Sequence, residues 1–402
     1  MQPEPPSAAF SHDLKSLLAP HDPAEFLADY WDNAPFLVQR NSPAHYGALL
    51  SLSDVDTMLN DRELHMNDLR LARSAEVIDS AAFTRANGSI DIAAVYALYA
   101  DGATIILQHV HKSHRGMARL CRRLSHQLGM PFQTNLYLTP PSQQGFKPHY
   151  DSHDVFLLQI AGSKDWEVGG DPVRLPLKGQ PFNPEQHEFG ETRMAFRLGA
   201  GDMLYLPRGV MHQGKTTGET SLHITVGVQA YTWSDLILEA ISQVFVQDER
   251  FRRALPVGFG VGEFDAGAAR LRFGKLMDIL RDQTDITAAT GQLRREFISR
   301  EPPRLAGQLS ELATVSDLGQ ADPVRCRPEI LSDLVTVGEV ATLIGNGREL
   351  EFPARLESAI AFALSGETVR ATDLPSGLDD LEKLEVVRQL VREGFLVKAA
   401  GS

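Results

Sequence analysis

The sequence predicts a mainly β domain, an antiparallel sandwich or barrel, followed by a helical domain and a C-terminal α/β module. Short β-branched and apolar runs recur from Thr134 to Tyr231 and are separated by Gly and Pro. After Trp233 this pattern stops and three amphipathic stretches follow, as is typical of packed helices. Beyond Pro302-Pro303 strand-like and helical stretches alternate again. We therefore predict domains at 1–232, 233–303 and 304–402.

Length and composition bound the class of protein. A chain of 402 residues, with 43% hydrophobic and 23% charged residues, predicts two or three globular domains. Its net charge of -13 disfavours general attraction to nucleic acid or anionic lipid and favours a basic partner. The two cysteines exclude a disulfide framework and a zinc knuckle. No secretory leader or run of about 18 apolar residues is found, so we expect a cytoplasmic protein without membrane contact.

The region before Thr134 predicts an α/β lead-in. Residues 1 to about 20 are rich in Pro, Ala and Ser, which is typical of a loose segment. Apolar spacing then predicts helices and strands in alternation. These are a helix over Pro23–Trp31, a strand over Pro35–Gln39, a helix over Ser51–Leu59, a strand over Ala103–Gln108 and a helix over Met117–Leu128.

In the β domain, alternation and apolar runs predict a set of short strands. They are Asn135–Thr139, Asp154–Ile160, Asp165–Val168, Met203–Leu206 and Leu222–Val228. The three helices predicted after it are Asp235–Arg253, Ala266–Arg281 and Thr287–Arg300. Apolar positions on these helices exceed what one barrel edge covers, so we expect a homodimer. We also expect Tyr231 and Trp233 to cap the barrel.

The last stretch predicts a winged helix. Its elements are a strand at Glu349–Phe352, helices over Pro353–Leu364 and Asp379–Glu393, and a terminal strand at Phe395–Lys398. Winged helices often bind DNA, but residues 329–402 carry 13 acidic and 7 basic residues, a net charge of −6. This is the wrong sign for binding phosphates. We expect a structural or protein-binding role and no direct DNA binding.

The strongest chemical motif is His149-Tyr-Asp151 with a distant His212. Residues i and i+2 of a strand point to the same face, so His149 and Asp151 can offer an imidazole and a carboxylate to one barrel interior. His212 follows a turn, a strand and a Pro-Gly corner and can supply a second imidazole. Two His and one carboxylate form the facial triad that binds Fe(II) and leaves positions for a co-substrate and O2.

Lys164 begins a strand in which it shares a face with Trp166 and Val168. A face that carries Trp and Val is usually buried, and a buried Lys needs an anionic partner. The far carboxylate of a dicarboxylate ligand such as 2-oxoglutarate is one such partner. An exposed or snorkelling Lys is the alternative.

Five segments together resemble the JmjC ribosomal oxygenase family, also called cupin-4 proteins. They are Asn135-Leu-Tyr-Leu-Thr-Pro-Pro141, Gln144-Gly-Phe-Lys-Pro-His-Tyr-Asp151, Asp154-Val-Phe-Leu-Leu-Gln159, Gly162-Ser-Lys-Asp-Trp166 and Gly201-Asp-Met-Leu-Tyr-Leu-Pro-Arg-Gly209. The resemblance implies a double-stranded β-helix (jelly-roll, cupin) domain, then a helical dimerisation domain, then a winged helix. It also implies hydroxylation of a ribosomal protein side chain with Fe(II), 2-oxoglutarate and O2.

The resemblance carries over residue by residue. His149, Asp151 and His212 match the catalytic iron ligands, and Lys164 matches the basic residue that binds 2-oxoglutarate. Thr225 matches a hydroxyl that assists that lysine. A separate pair, Asn135 and Tyr137, matches positions that contact the substrate side chain in histidyl hydroxylases.

One position departs from the histidyl-hydroxylase pattern. Those members resemble Ser-x-His-x-Thr-x-Ser on the last barrel strand, whereas this chain ends the motif with Gly227, which lacks the hydroxyl and makes room. Bacterial arginyl hydroxylases look more like Val-Gly here, but they typically carry Arg where this chain has Lys164. The substrate residue, His or Arg, therefore stays open.

Other histidines have simpler interpretations. His109, His111 and His114 lie beside Lys112 and several arginines, which repel cations and favour a basic helical face. His223 is either a neighbour of the iron ligands or a hydrogen-bonded core histidine.

Two alternative functions remain. One is 2-oxoglutarate-dependent hydroxylation of a peptide or small molecule in biosynthesis, and the other is a non-enzymatic cupin regulator that uses the winged helix. The presence of Lys164 beside a complete triad argues against the regulator.

Overall fold

The structure, a computed structural model, describes residues 10–73, 76–262 and 264–399. It divides into two compact units, Met1–Ala230 and Tyr231–Ser402. The finer division at 232 and 303 stays a prediction. The predicted loose segment lies outside the described residues up to position 9, and further on it contains a helix.

The first unit is built mainly from antiparallel strands, with short helices before them. Its strands are β1 (Phe36–Val38), β2 (Leu69–Arg73), β3 (Glu76–Val77), β4 (Thr104–Leu107), β5 (Phe132–Thr139), β6 (Asp154–Ala161), β7 (Ser163–Val168), β8 (Met194–Gly199), β9 (Met203–Leu206), β10 (His212–Thr216) and β11 (Ser221–Val228). Its helices are α1 (Leu14–Leu18), α2 (Pro23–Asp29), α3 (Leu52–Asn60), α4 (Ile92–Ala100) and α5 (Arg115–Leu128).

Two sheets face each other in this unit. The larger has the order β1-β9-β6-β11-β5-β4-β2-β3, and the smaller has the order β10-β7-β8. Strand β11 alternates between two faces: Leu222, Ile224 and Val226 are fully buried in the core that includes the N-terminal helices, whereas His223 and Thr225 face the smaller sheet. A second apolar cluster, with Leu157, lies between the sheets. The predicted antiparallel jelly-roll architecture is confirmed.

Strand β10, which carries His212, was not among the predicted strands. Its sequence, His-Gln-Gly-Lys-Thr, has no apolar alternation that would mark it as a strand. The strand exists because its backbone pairs with β7 from His212 opposite Val168 to Thr216 opposite Lys164. Tertiary pairing therefore overrides the weak local signal.

The second unit begins with helices and ends with a mixed α/β region. Its helices are α6 (Trp233–Gln247), α7 (Glu249–Arg252), α8 (Ala266–Gln283), α9 (Ile286–Arg300), α10 (Gln308–Thr314), α11 (Glu357–Ala363) and α12 (Asp380–Arg392). Its strands are β12 (Val324–Cys326), β13 (Ser332–Val337), β14 (Val340–Gly345), β15 (Arg348–Pro353), β16 (Thr368–Val369) and β17 (Leu396–Lys398). They form two three-stranded sheets, β16-β12-β17 and β13-β14-β15.

The start of α6 is fixed by a capping box, in which Thr232 accepts a hydrogen bond from the Asp235 backbone and Asp235 accepts one from the Thr232 backbone. The predicted helical region after the β domain is thereby confirmed, while the winged helix stays a prediction. Trp233 is 79% exposed and Tyr231 contacts Phe297, so neither supports the expectation that they cap the barrel. Among the described residues, no helix is both long and apolar enough to cross a membrane.

Candidate active site

The structure places His149 and His212 directly opposite each other. His149 lies in the segment before β6, and His212 is the first residue of β10. Their backbones exchange two hydrogen bonds, N–H to O, of 3.2 and 2.8 Å. This antiparallel bridge brings the two ring centroids to 4.5 Å of each other. Two residues 63 positions apart in the sequence are thus held by the backbone itself.

The ring of each histidine is oriented by its Nδ1 atom. Nδ1 of His149 lies 2.8 Å from the Lys147 carbonyl oxygen, and Nδ1 of His212 lies 3.0 Å from the Val210 carbonyl oxygen. Because a carbonyl only accepts, each Nδ1 carries the proton and donates. Each Nε2 is then left with its lone pair free, which is the state a metal-binding imidazole requires.

Asp151 completes the group. One ligand atom from each of His149, Asp151 and His212 lies within 4.8 Å of the others, and Asp151 Oδ2 is 3.8 Å from His212 Nε2. Burial acts to raise the pKa of Asp151, but His212 and His149 together hold it below its ordinary value. Burial lowers the pKa of His212 to about 4. At neutral pH the group therefore offers the neutral imidazole of His212 and the carboxylate of Asp151, beside the His149 ring with its Nδ1–H held by a carbonyl.

A buried ion pair joins the two segments that carry these ligands. Arg208, in the corner before His212, donates from Nη1 and from its backbone N–H to Asp154, each at 2.9 Å. The Gly209 N–H donates to the Asp151 carbonyl oxygen at 3.0 Å. Gly209 has a φ of 89°, and a Cβ there would lie 2.0 Å from the Val173 oxygen, so the corner requires glycine.

Lys164 lines the same pocket as the three ligands, and it is 5% exposed. Its Nζ is 5.1 Å from the centre of the Trp166 ring. Burial lowers the pKa of Lys164 to about 8. Within residues 10–73, 76–262 and 264–399 it has no carboxylate partner, and Nε1 of Trp166 is buried without an acceptor. Two buried donors therefore point to an anionic ligand.

The other predicted residues lie along one wall. Thr225 pairs with Asn135 between β11 and β5, and His223 pairs with Tyr137. The Tyr137 and His223 rings are stacked at 4.7 Å, and burial raises the pKa of Tyr137 to about 12. Thr225 and Tyr137 line the pocket with the three ligands.

Asn135 lies beyond the residues that line the pocket, on the same face of β5 as Tyr137. Its Oδ1 accepts a hydrogen bond from the His109 backbone N–H at 3.0 Å. The amide orientation is thereby fixed, and the side chain has the two N–H groups of Nδ2 and one lone pair of Oδ1 left for other partners.

The space beside Gly227 is not open. A Cβ at Gly227 would lie 2.7 Å from both Cδ2 and Nε2 of His153. The expectation that Gly227 makes room is therefore wrong, because the His153 imidazole fills that room. Neither His153 nor the free donor of Trp166 was identified from the sequence, where each is one residue in a strand-like run.

Comparison with known proteins gives one matching family and several similar proteins. The JmjC domain family matches residues 106–236. Ribosomal oxygenase 1 of Gallus gallus is 33% identical over 300 residues, which cover 70% of this chain and 50% of that protein. The bifunctional lysine-specific demethylase and histidyl-hydroxylase NO66 of Culex quinquefasciatus is 31% identical, covering 71% of this chain and 46% of that protein. The chain thus spans about half the length of these relatives.

Solved structures agree on the architecture. The Escherichia coli ribosomal oxygenase YcfD, in complex with cobalt and 2-oxoglutarate, superposes with a TM-score of 0.52 and 18% identity. The match covers 94% of this chain and 98% of that one. At this identity the similarity concerns the fold, and it extends over both units.

Proposed function

Because the chain belongs to the JmjC-domain family of the ribosomal oxygenases, we propose that it is an Fe(II)- and 2-oxoglutarate-dependent oxygenase that hydroxylates a ribosomal protein side chain. The observation that carries the proposal is Lys164, a buried ammonium without an anionic partner among the described residues, beside a His-Asp-His group. A metal alone would not need this cation. A metal with a dicarboxylate co-substrate does.

The residues fit iron and its co-substrate. His149, Asp151 and His212 would hold Fe(II) through two Nε2 atoms and one carboxylate oxygen. When bound, the iron supplies the activation of O2 and, with 2-oxoglutarate, the oxidising power. Lys164 would bind the far carboxylate of 2-oxoglutarate, with Thr225 close by. Nε1 of Trp166 is a further buried donor without an acceptor among the described residues.

The substrate side chain in our proposal is histidine. The His109 backbone uses one lone pair of Asn135 Oδ1, so this side chain has two N–H donors and one lone pair left for other partners. A guanidinium has donors and no acceptor, so it could use only that one lone pair. A neutral imidazole carries one acceptor nitrogen and can receive the Asn135 hydrogen bond. Donor geometry therefore favours a histidyl over an arginyl substrate.

The test uses the purified chain with Fe(II), 2-oxoglutarate and total 50S ribosomal proteins. We expect succinate to form and one protein to gain 16 Da, the mass of one oxygen, on a histidine located by peptide mass spectrometry. An arginine as the modified residue would contradict the donor argument. Succinate without any modified ribosomal protein would favour the alternative, a peptide or small-molecule hydroxylase.

A second part of the proposal is that the chain acts as a homodimer. Helices α6 and α8 of the second unit expose large apolar side chains: Trp233 79%, Leu238 65%, Val246 73%, Leu271 72% and Phe273 64%. Burying such a surface against a second copy would remove it from water. Light scattering of the purified chain should give twice the 44.3 kDa mass. A monomer at micromolar concentration would contradict this.

A ribosomal protein substrate would place the enzyme with ribosomes under assembly, so a cytoplasmic location belongs to the same proposal. The acidic C-terminal region supports contact with a basic protein rather than with DNA.

A further inference from the structure

Positions 153 and 227 share one space in the wall of the pocket, which the ring of His153 fills because Gly227 has no side chain. On β11 the side chains of His223 and Thr225 face the pocket, and Gly227 is the next residue on that face. A Cβ on Gly227 would meet Cδ2 and Nε2 of His153 at 2.7 Å and Cγ of Gln133 at 3.4 Å. The His153 ring therefore occupies the space into which any side chain at position 227 would extend.

His153 is held in this place by its own chain neighbours. Asp151, two residues earlier, is part of the His-Asp-His group, and Asp154, the next residue, is fully buried and binds Arg208. Asp154 also pairs with Val228 on β11. The backbone on both sides of His153 is therefore fixed by the site and its supporting ion pair, which sets the position from which the ring extends towards Gly227.

The hydrogen-bonding groups of this imidazole are free. The side chain is half-buried, and in the part of the chain that the structure describes it forms no hydrogen bond. The ring lies on the same face of the sheet as Asn135, which pairs with Thr225 two positions along from the pair of Gly227 and Gln133. A neutral imidazole offers one acceptor nitrogen and one N–H donor. Asn135 offers the two N–H donors of Nδ2, while one lone pair of its Oδ1 is used by the His109 backbone.

We propose that His153 is a substrate-positioning residue that determines specificity, because its imidazole makes the side-chain hydrogen bond that Gly227 cannot make. This rests on the proposed function and names a further part of the same site. A substrate imidazole has one acceptor nitrogen and one N–H. Asn135 would donate to the first, and the acceptor nitrogen of His153 would receive the second. Together they recognise both ring nitrogens.

The test separates hydrogen bonding from space filling. His153→Phe keeps a ring beside Gly227 without a hydrogen-bonding group, and His153→Gln keeps the group without the ring. We measure the apparent KM for 50S ribosomal proteins, kcat, and the KM for 2-oxoglutarate. In His153→Phe, and in a third variant, His153→Ala, we expect the apparent KM for ribosomal proteins to rise roughly three- to tenfold, as for one lost neutral hydrogen bond. The KM for 2-oxoglutarate should change less. Gln should recover part of the loss.

A double variant tests whether positions 153 and 227 share one space, because it adds a side chain at position 227 and removes the ring at position 153. Gly227→Ser alone places a side chain against the His153 ring and should lower activity more than His153→Ala does. Combined with His153→Ala, the same serine has room, so the double variant should regain activity relative to Gly227→Ser. His126→Ala, an exposed histidine on α5, is the control and should match the wild type.

The outcomes distinguish this inference from the proposed function. A wild-type enzyme that modifies no ribosomal protein overturns the proposed function and, with it, this inference. An active wild type with an unchanged protein KM in His153→Phe overturns the inference alone. An equal rise in both KM values also overturns it, because His153 would then support the metal site. If the effects of Gly227→Ser and His153→Ala on activity simply add in the double variant, the two positions do not share one space, and that part of the inference is wrong.

Discussion

The first unit contains two groups of histidines, and their hydrogen bonds run in opposite directions. His149 and His212 each donate from Nδ1 to a backbone carbonyl. In the segment before β5, Nδ1 of His111 accepts from the Thr134 N–H at 3.2 Å, and Nδ1 of His114 accepts from the Met117 N–H at 3.4 Å. In the first pair the Nε2 lone pairs are free, whereas in the second pair the Nδ1 lone pairs accept hydrogen bonds from backbone N–H groups.

This difference separates a metal site from a structural cluster of the same residue type. A neutral imidazole that accepts at Nδ1 carries its proton on Nε2 and has no second lone pair for a cation. The carboxylate completes the contrast, because Asp151 lies within the first group. Exposed Lys112 and Arg115 lie beside the second. Any histidine is a candidate metal ligand by residue type, but the direction of its Nδ1 hydrogen bond determines whether Nε2 has a lone pair for the metal.

The largest expected effect is loss of the ligands. His149→Ala, Asp151→Ala and His212→Ala should each reduce succinate formation from 2-oxoglutarate to background, because each removes one of three protein ligands. Iron content per chain, measured by mass spectrometry of the metal, should fall in parallel. The assay is run at limiting iron, so that a weakened site is not filled by excess metal.

The structural histidines provide the matched control. His111→Ala and His114→Ala should keep iron content and turnover near the wild-type values at neutral pH. If either one lost iron as the triad variants do, the distinction by hydrogen-bond direction would fail. Near-normal turnover in any triad variant would remove that residue from the metal site.

A smaller effect is expected at Lys164. Replacing it by Ala should raise the KM for 2-oxoglutarate by roughly 10- to 150-fold, the equivalent of about 1.5–3 kcal/mol for a charged hydrogen bond. Iron binding should persist. Lys215→Ala, an exposed lysine on the neighbouring strand β10, is the matched control and should change the KM little. An unchanged KM in Lys164→Ala would assign co-substrate binding to another cation.

The same lysine predicts a pH dependence in the wild type. Burial lowers the pKa of Lys164 to about 8, so the free enzyme loses this positive charge as the pH rises through that value. The KM for 2-oxoglutarate should therefore increase above about pH 8. In Lys164→Arg the guanidinium stays charged, and this increase should disappear.

Much of the first unit was accessible from the sequence because its strands carry strong local patterns. Met203–Leu206 was predicted with the bounds that the structure has, and Lys164 with Trp166 was placed on a buried face by alternation alone. His149 and Asp151 were proposed as a pair because they are two residues apart, and His212 was added because it follows a turn, a strand and a Pro-Gly corner. Local spacing carries this information without any knowledge of long-range pairing.

What the sequence did not reveal depends on contacts between distant segments. Strand β10 forms by pairing with β7, and Gly227 seemed to leave space because His153, 74 positions earlier, could not be placed beside it. The fixed amide of Asn135 depends in the same way on the His109 backbone. Our proposal of a histidyl substrate uses such contacts, which is why the sequence alone left the choice between His and Arg open.

The smallest effect is expected at His111, and it concerns the pH dependence of the free energy of unfolding rather than catalysis. Burial lowers the pKa of His111 to about 4, below the ordinary value of 6.5. Between these values the unfolded chain binds a proton that the folded chain does not, so the free energy of unfolding falls as the pH falls from about 6.5. His111→Asn keeps an acceptor for the Thr134 N–H and removes the titrating ring. The melting temperature should therefore fall less between pH 7 and pH 5 in this variant than in the wild type, while turnover at neutral pH is unchanged. His126→Asn, at an exposed site, should keep the wild-type pH dependence. If His111→Asn also kept it, His111 would be protonated in the folded protein and its Nδ1 could not be the acceptor that sets it apart from the metal-site histidines.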